Sequence, residues 1–103
     1  MMQITKDEAP GRTVLRLSGR FDFHSHRDFR GAYEKALESA DVREIEVNFG
    51  NVDYLDSSAL GMLLLLREKA DAKGKQVTLA GLKGAVKQVL DIANFGKLFT
   101  IKA

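Results

Sequence analysis

Apolar and polar positions along this chain repeat with two different periods. Residues 2–6 place Met2 and Ile4 on one side of an extended segment and Gln3 and Thr5 on the other, which is the period of a strand. Pro10-Gly11 follows as a turn signal. Residues 13–18, with Val14, Leu15 and Leu17, read as a second strand, and the short link predicts an antiparallel hairpin. The period then lengthens. Phe29, Tyr33, Ala36, Leu37 and Ala40 recur at helical spacing, with Arg27, Arg30, Glu34, Lys35 and Glu38 on the opposite face. Ser25 stands where this helix would be capped, with Asp28 three residues on, the spacing of a capping box.

Strand periodicity returns at 44–49, where Ile45, Val47 and Phe49 alternate with Glu44, Glu46 and Asn48. Val77 and Leu79 repeat it, as do Phe99 and Ile101. A sheet covered on both faces would show continuous apolar runs instead. The pattern therefore predicts helices on one face and a largely solvated opposite face. Right-handed crossovers between neighbouring parallel strands place all helices on one side, in agreement. A second helix is expected over 57–73, stopped by Gly74. A third is expected over 84–93, with Ala85, Val86, Val89, Leu90 and Ala93 as its apolar positions, ended by Asn94 or Gly96. The predicted order is β-β-α-β-α-β-α-β, an α/β fold with a mixed, mostly parallel sheet of about five strands. The expectation is a single domain spanning 1–103.

Composition narrows the chemistry. The 103 residues are 45% hydrophobic and 29% charged, with no Cys and two His. This excludes a disulfide scaffold, a thiolate metal site and a cysteine nucleophile. The net charge of +2 is spread through the chain. Lys73, Lys75, Lys83 and Lys87 read as a solvated face, and no nucleic-acid partner is expected. The longest apolar stretch, 59–66, is far short of the roughly twenty residues needed to span a bilayer. No membrane insertion is expected, and a cytoplasmic location is. His24 and His26 lack a third ligand, so no metal is expected. The glycines of 81–84 lack the spacing of a phosphate loop, and no cofactor is expected. No nucleophile–base–orienter set is readable, so the chain is not expected to be an enzyme.

The informative segment is 51–66. It reads as a strand end, a short acidic loop, and a helix that opens at Asp56-Ser57-Ser58-Ala59-Leu60-Gly61. Asp56, Ser57 and Ser58 are all good N-cap residues, so local chemistry leaves capping open as the serines' whole role. The helix is apolar nearly all round over 59–66. Either a neighbouring helix covers it or it awaits a partner. Gly61 weakens the helix by about 1 kcal/mol relative to Ala. Its missing side chain would allow close backbone approach, by the chain's own sheet or by a partner.

The Asp56–Gly61 hexamer resembles the D-S-S-[GA]-L-G signature of STAS domains, specifically the bacterial anti-sigma factor antagonists. Gly19-Arg20-Phe21-Asp22 resembles that family's G-x-[LF]-D. Residues 43–49, 85–91 and 95–101 resemble its strand before the signature, its last helix and its final strand. Members often carry a further helix after the last strand, and none is readable before residue 103. The resemblance implies a partner switch. Ser57 would be phosphorylated by an anti-sigma factor that is a GHKL-type serine kinase, with Ser58 the second candidate. The unphosphorylated protein would bind the kinase, the phosphorylated protein would let go, and a PP2C-type phosphatase would reset it. Partner contacts would come from Asp22, Asp56, Ser57, Ser58, Ala59, Leu60 and Gly61. The alternative is a STAS subunit without a switch, docked on a transporter ATPase or in a stress-signalling scaffold.

Overall fold

The structure, a computed structural model, describes residues 2–102. Strands β1 (Gln3–Ala9) and β2 (Arg12–Phe21) form the expected antiparallel hairpin, with Ala9 opposite Arg12. Pro10-Gly11 makes the two-residue turn. Gly11 takes φ +75° there, which a residue with a Cβ adopts only under strain. A single 3-10 turn (Phe23–Ser25) leads into helix α1 (His26–Glu38). Strand β3 (Glu44–Leu55), helix α2 (Ser57–Ala72), strand β4 (Gln76–Ala80), helix α3 (Gly84–Ile92), a second 3-10 turn (Phe95–Lys97) and strand β5 (Thr100–Lys102) complete the order. The strands lie in the order β1-β2-β3-β4-β5. All pairs after the hairpin are parallel. This is the α/β fold with a five-stranded mixed sheet that the periodicity predicts.

One continuous core joins the three helices to one sheet face. Leu15, Leu17, Ile45, Val47, Phe49, Val77 and Leu79 supply the sheet side. Phe29, Tyr33 and Leu37 of α1, Leu63 and Leu66 of α2, and Val86 and Leu90 of α3 supply the helix side. Phe21, Phe29 and Tyr33 pack in series, tilted and then edge to face, with ring centroids 4.9 and 5.3 Å apart, and fix α1 to the end of β2. Two helix-stripe expectations fail. Ala40 lies beyond the end of α1 and is exposed, and Ala85 faces solvent from the first turn of α3. Ile101 shares the core face but lies on an edge strand and stays 42% exposed.

The opposite sheet face is less solvated than its polarity suggests. Val14, Glu46 and Thr78 lie side by side on it and are buried, as is Ala80, with no helix above them. Long side chains cover them instead. Lys102 and Arg12 reach Glu46 at 3.2 and 3.7 Å, and Thr78 donates to Glu44 at 2.6 Å. Central-strand positions are shielded by the stems of flanking charged residues, which snorkel across the face.

The end of α2 is closed as predicted. Gly74 has φ +69°. Its N–H donates to Asp71 O, and that of Lys75 to Ala70 O, the bond pair of a Schellman motif. Lys75 Nζ then donates to Ser39 O and Val42 O, both at 2.5 Å, tying the loop after α1 to the loop after α2.

Candidate functional site

The segment expected to be a short acidic loop is strand. β3 continues to Leu55, and its register against β2 slips twice. Arg16 faces Asn48 while Ser18 faces Asn51, and Gly19 faces Val52 while Arg20 faces Tyr54. β3 thus carries an extra residue at each slip, and the two bulges bend it without ending its pairing. Period-two alternation breaks at each bulge, which hides the strand from a reading of the sequence.

The pairing ends at Phe21 and Leu55, and Asp56 N donates to Phe21 O at 3.3 Å. Asp22 and Asp56 therefore stand together at the C-terminal ends of two parallel strands, each opening a helical segment. Asp56 has extended backbone (φ −115°, ψ −178°), and its Oδ1 accepts from Ala59 N at 3.2 Å. Asp56 is the N-cap of α2, which places Ser57 and Ser58 at its first two helical positions. Capping by the serines, left open by the sequence, is answered by this geometry.

The other helix start differs from expectation. Ser25 sits at the N-cap position of α1, but its hydroxyl makes no capping bond to that helix. It donates to Arg20 O at 3.1 Å and accepts from Asp22 N at 3.2 Å, while Asp22 Oδ1 accepts from His24 N at 3.0 Å. The capping box lies one turn earlier, between Asp22 and Ser25, and Asp28 takes no part. The result fixes the Asp22 carboxylate on its own turn, at the same end of the sheet as Asp56.

Ser57 is exposed and Ser58 half-buried. Ala59 is fully buried against the core, so it contributes its amide, held by Asp56, and not its methyl. Leu60 packs on the edge of the core and Gly61 is exposed. The uniformly apolar run divides between the two expected fates. Met62, Leu63 and Leu66 are buried, and Leu64 and Leu65 face solvent. Phe23 is also exposed.

Arg20 and Tyr54 belong to the site and were not singled out from the sequence. The Arg20 guanidinium lies 3.9 Å from the Tyr54 ring centroid, and its Nε is 3.6 Å from Asp22. Arg20 thus offsets part of the charge of Asp22 while its guanidinium rests on the Tyr54 ring. The pairing depends on the second bulge, which puts Tyr54 opposite Arg20, so no sequence spacing signals it. Among the described residues no group of three His, Cys, Asp or Glu could hold a metal ion. No helix there is long and apolar enough to cross a membrane.

The arrangement offers an accessible hydroxyl on the first turn of a helix, the carboxylate that caps that helix, a second capping aspartate at the end of the neighbouring strand, and an apolar shelf behind. Comparison with known proteins agrees with the fold. A family model described as "Mlab, STAS domain" matches residues 4–100. A STAS-domain containing protein of Pseudomonas aeruginosa (strain UCBPP-PA14) is 47% identical over 88 residues, 85% of each chain. The anti-sigma F factor antagonist of Paenibacillus polymyxa is 26% identical over 100 residues, covering 97% of this chain and 86% of that one. The anti-sigma factor antagonist SpoIIAA in its unphosphorylated form superposes with a TM-score of 0.82 at 22% identity, over 98% of this chain and 89% of that one. With the family model spanning nearly its whole length, this chain belongs to the STAS-domain family.

Proposed function

We propose that this protein is an anti-sigma factor antagonist that works by partner switching, with Ser57 as the phosphorylated residue. Unphosphorylated, it binds a GHKL-type serine kinase that is also the anti-sigma factor. Phosphorylated, it releases that kinase, and a PP2C-type phosphatase resets it. The observation that carries this reading is the division of labour at the start of α2. Asp56 performs the capping, so the exposed Ser57 hydroxyl has no capping duty there. Ser58 is the second candidate, but it is half-buried. The likeness to SpoIIAA, solved in both unphosphorylated and phosphorylated forms, supports the assignment.

The physical consequence follows from charge. A phosphate adds about −1.5 to −2 at neutral pH. The N-terminus of α2 favours that charge, while Asp22, Asp53 and Asp56 oppose it. These effects offset within the domain, so the fold stays as it is. In a complex, an unpaired dianion is buried at a cost of several kcal/mol. At about 1.4 kcal/mol per tenfold, affinity falls by roughly a hundredfold or more. The test is affinity capture from source-cell lysate with Ser57→Ala and Ser57→Asp baits, read by mass spectrometry. Capture of a GHKL-type kinase by the Ala bait and its loss from the Asp bait supports the switch. Equal capture of one ATPase or scaffold protein by both baits replaces it with the reading of a structural subunit.

A further inference from the structure

Gly61 has no structural reason to be glycine. It lies inside α2 and is exposed, and a Cβ built on it meets nothing within 4 Å. Its φ is not positive. A glycine inside a helix weakens that helix, and here neither a turn nor an internal close approach calls for one. Approach by the chain's own sheet is excluded by the same open space. Gly31, inside α1, is exposed in the same way, with nothing within 4 Å.

Each glycine borders a cleft, and the clefts adjoin. The first is an open well of about 330 Å³ between Phe23, His26, Ser58, Gly61, Met62 and Leu65. The second, about 340 Å³, is walled by His26, Arg27, Arg30, Gly31 and Glu34, so His26 divides the two. The well is apolar except at Ser58 and His26. Its rim carries Phe23, 70% exposed, and Leu65. Large apolar side chains around a concave site mark a place where a partner binds. In the second cleft Glu34 holds Arg30 at 3.7 Å. Arg27 lies in no ion pair among the described residues. The apolar well thus adjoins a cleft with an uncommitted cation.

We propose that this paired site docks a helix of a protein partner. One bulky aliphatic or aromatic side chain of that helix enters the well, and a carboxylate about one turn away meets Arg27. The bare Gly61 lets the partner backbone close against α2, the geometry of an amphipathic helix laid in a groove. This rests on the reading of the α2 N-terminus as the partner face, since Ser58 is part of the well's wall.

The test needs no kinase. The full chain, labelled with ¹⁵N, is titrated with 4-methylpentanoate, which joins a branched tail to a carboxylate. The controls are 4-methylpentan-1-ol, which lacks the charge, and acetate, which lacks the tail. Both branched compounds are expected to shift the amides of Ser58, Gly61 and Leu65, the acid alone to shift Arg27 as well, and acetate to shift none of them. Gly61→Leu, which fills the well from an open position, should abolish binding of both. Arg27→Glu should weaken the acid at least fivefold and leave the alcohol unchanged. No saturable shift, shifts centred elsewhere, or wild-type binding by Gly61→Leu overturns the proposal. Shifts of these amides on dilution of the protein alone would assign the well to a second copy, which also overturns it. The two readings fail separately. A normal probe response with Ser57-independent kinase binding removes the switch and keeps the well, and the converse result removes the well and keeps the switch.

Discussion

Replacing Gly61, Gly74 and Gly81 each by Ala should give three different results, because the structure uses these glycines for different reasons. Gly81 has φ +72°, and its Cβ would lie 2.8 Å from Gly50 N and 3.0 Å from Asn48 Oδ1. A left-handed residue with a Cβ costs about 1–2 kcal/mol. Relieving the contact must also move the first bulge of β3, where Asn48 Oδ1 accepts from Gly50 N at 2.9 Å, and losing that bond costs about 1 kcal/mol. The expected total is about 3 kcal/mol, a large fraction of a stability on the order of 5–15 kcal/mol. Gly74 has φ +69° and open space around it, so only the conformational cost applies, about 1–2 kcal/mol. Gly61 has ordinary φ and open space, so Ala should stabilise by about 1 kcal/mol. For a domain of this size, 1 kcal/mol moves Tm by about 4–8 °C. Gly61→Ala should therefore rise by about that amount, Gly74→Ala fall by a similar amount or somewhat more, and Gly81→Ala fall by more than about 10 °C. Urea unfolding with an unchanged slope would show that each replacement changes stability without changing the surface exposed on unfolding. A destabilised Gly61→Ala would refute the argument that this glycine serves something outside the chain. A Gly81→Ala no worse than Gly74→Ala would refute the steric account of the bulge.

Other consequences are as direct. Asp56→Ala should cost about 1 kcal/mol through loss of the α2 cap, while Ser57→Ala should be nearly neutral, both read by urea denaturation; the reverse order would return the capping role to the serine. Lys75→Met should lower stability by about 1–3 kcal/mol, because it releases two carbonyls of the loop after α1, and hydrogen exchange should rise at 39–43. Burial, reinforced by Glu34, raises the Tyr33 pKa above its usual value of 10.0. Above pH 10 the unfolded chain then loses this proton before the folded one, so stability declines as pH rises further. Tyr33→Phe should flatten that alkaline decline, and an unchanged slope would show that Tyr33 is not its source.

The sheet and its helices were legible because their signals are local. Period two at 44–49, period 3.6 from Phe29 to Leu37 and the Gly74 stop are each set within a few residues. What escaped depends on distant neighbours. Glu46 alternates like a solvated residue, yet Arg12 and Lys102 cover it from two other strands. The strand at 50–55 is masked because each bulge inverts the alternation. At the site, the motif drew attention to Asp22 and to the Asp56–Gly61 run, and the register brings them to one edge. Phe23, His26 and Arg20 matter through packing across α1, α2 and β3, where no spacing in the chain records them.

The bond from Asp56 N to Phe21 O has a consequence for what any enzyme acting on this site can read. The two acids are 34 residues apart and become neighbours only once β3 has zipped onto β2. An unfolded chain, or a peptide copied from 51–66, offers the serine without the second acid. A kinase that reads both carboxylates would therefore discriminate by conformation. Nascent or damaged copies would escape it, and the modified pool would count only properly assembled molecules.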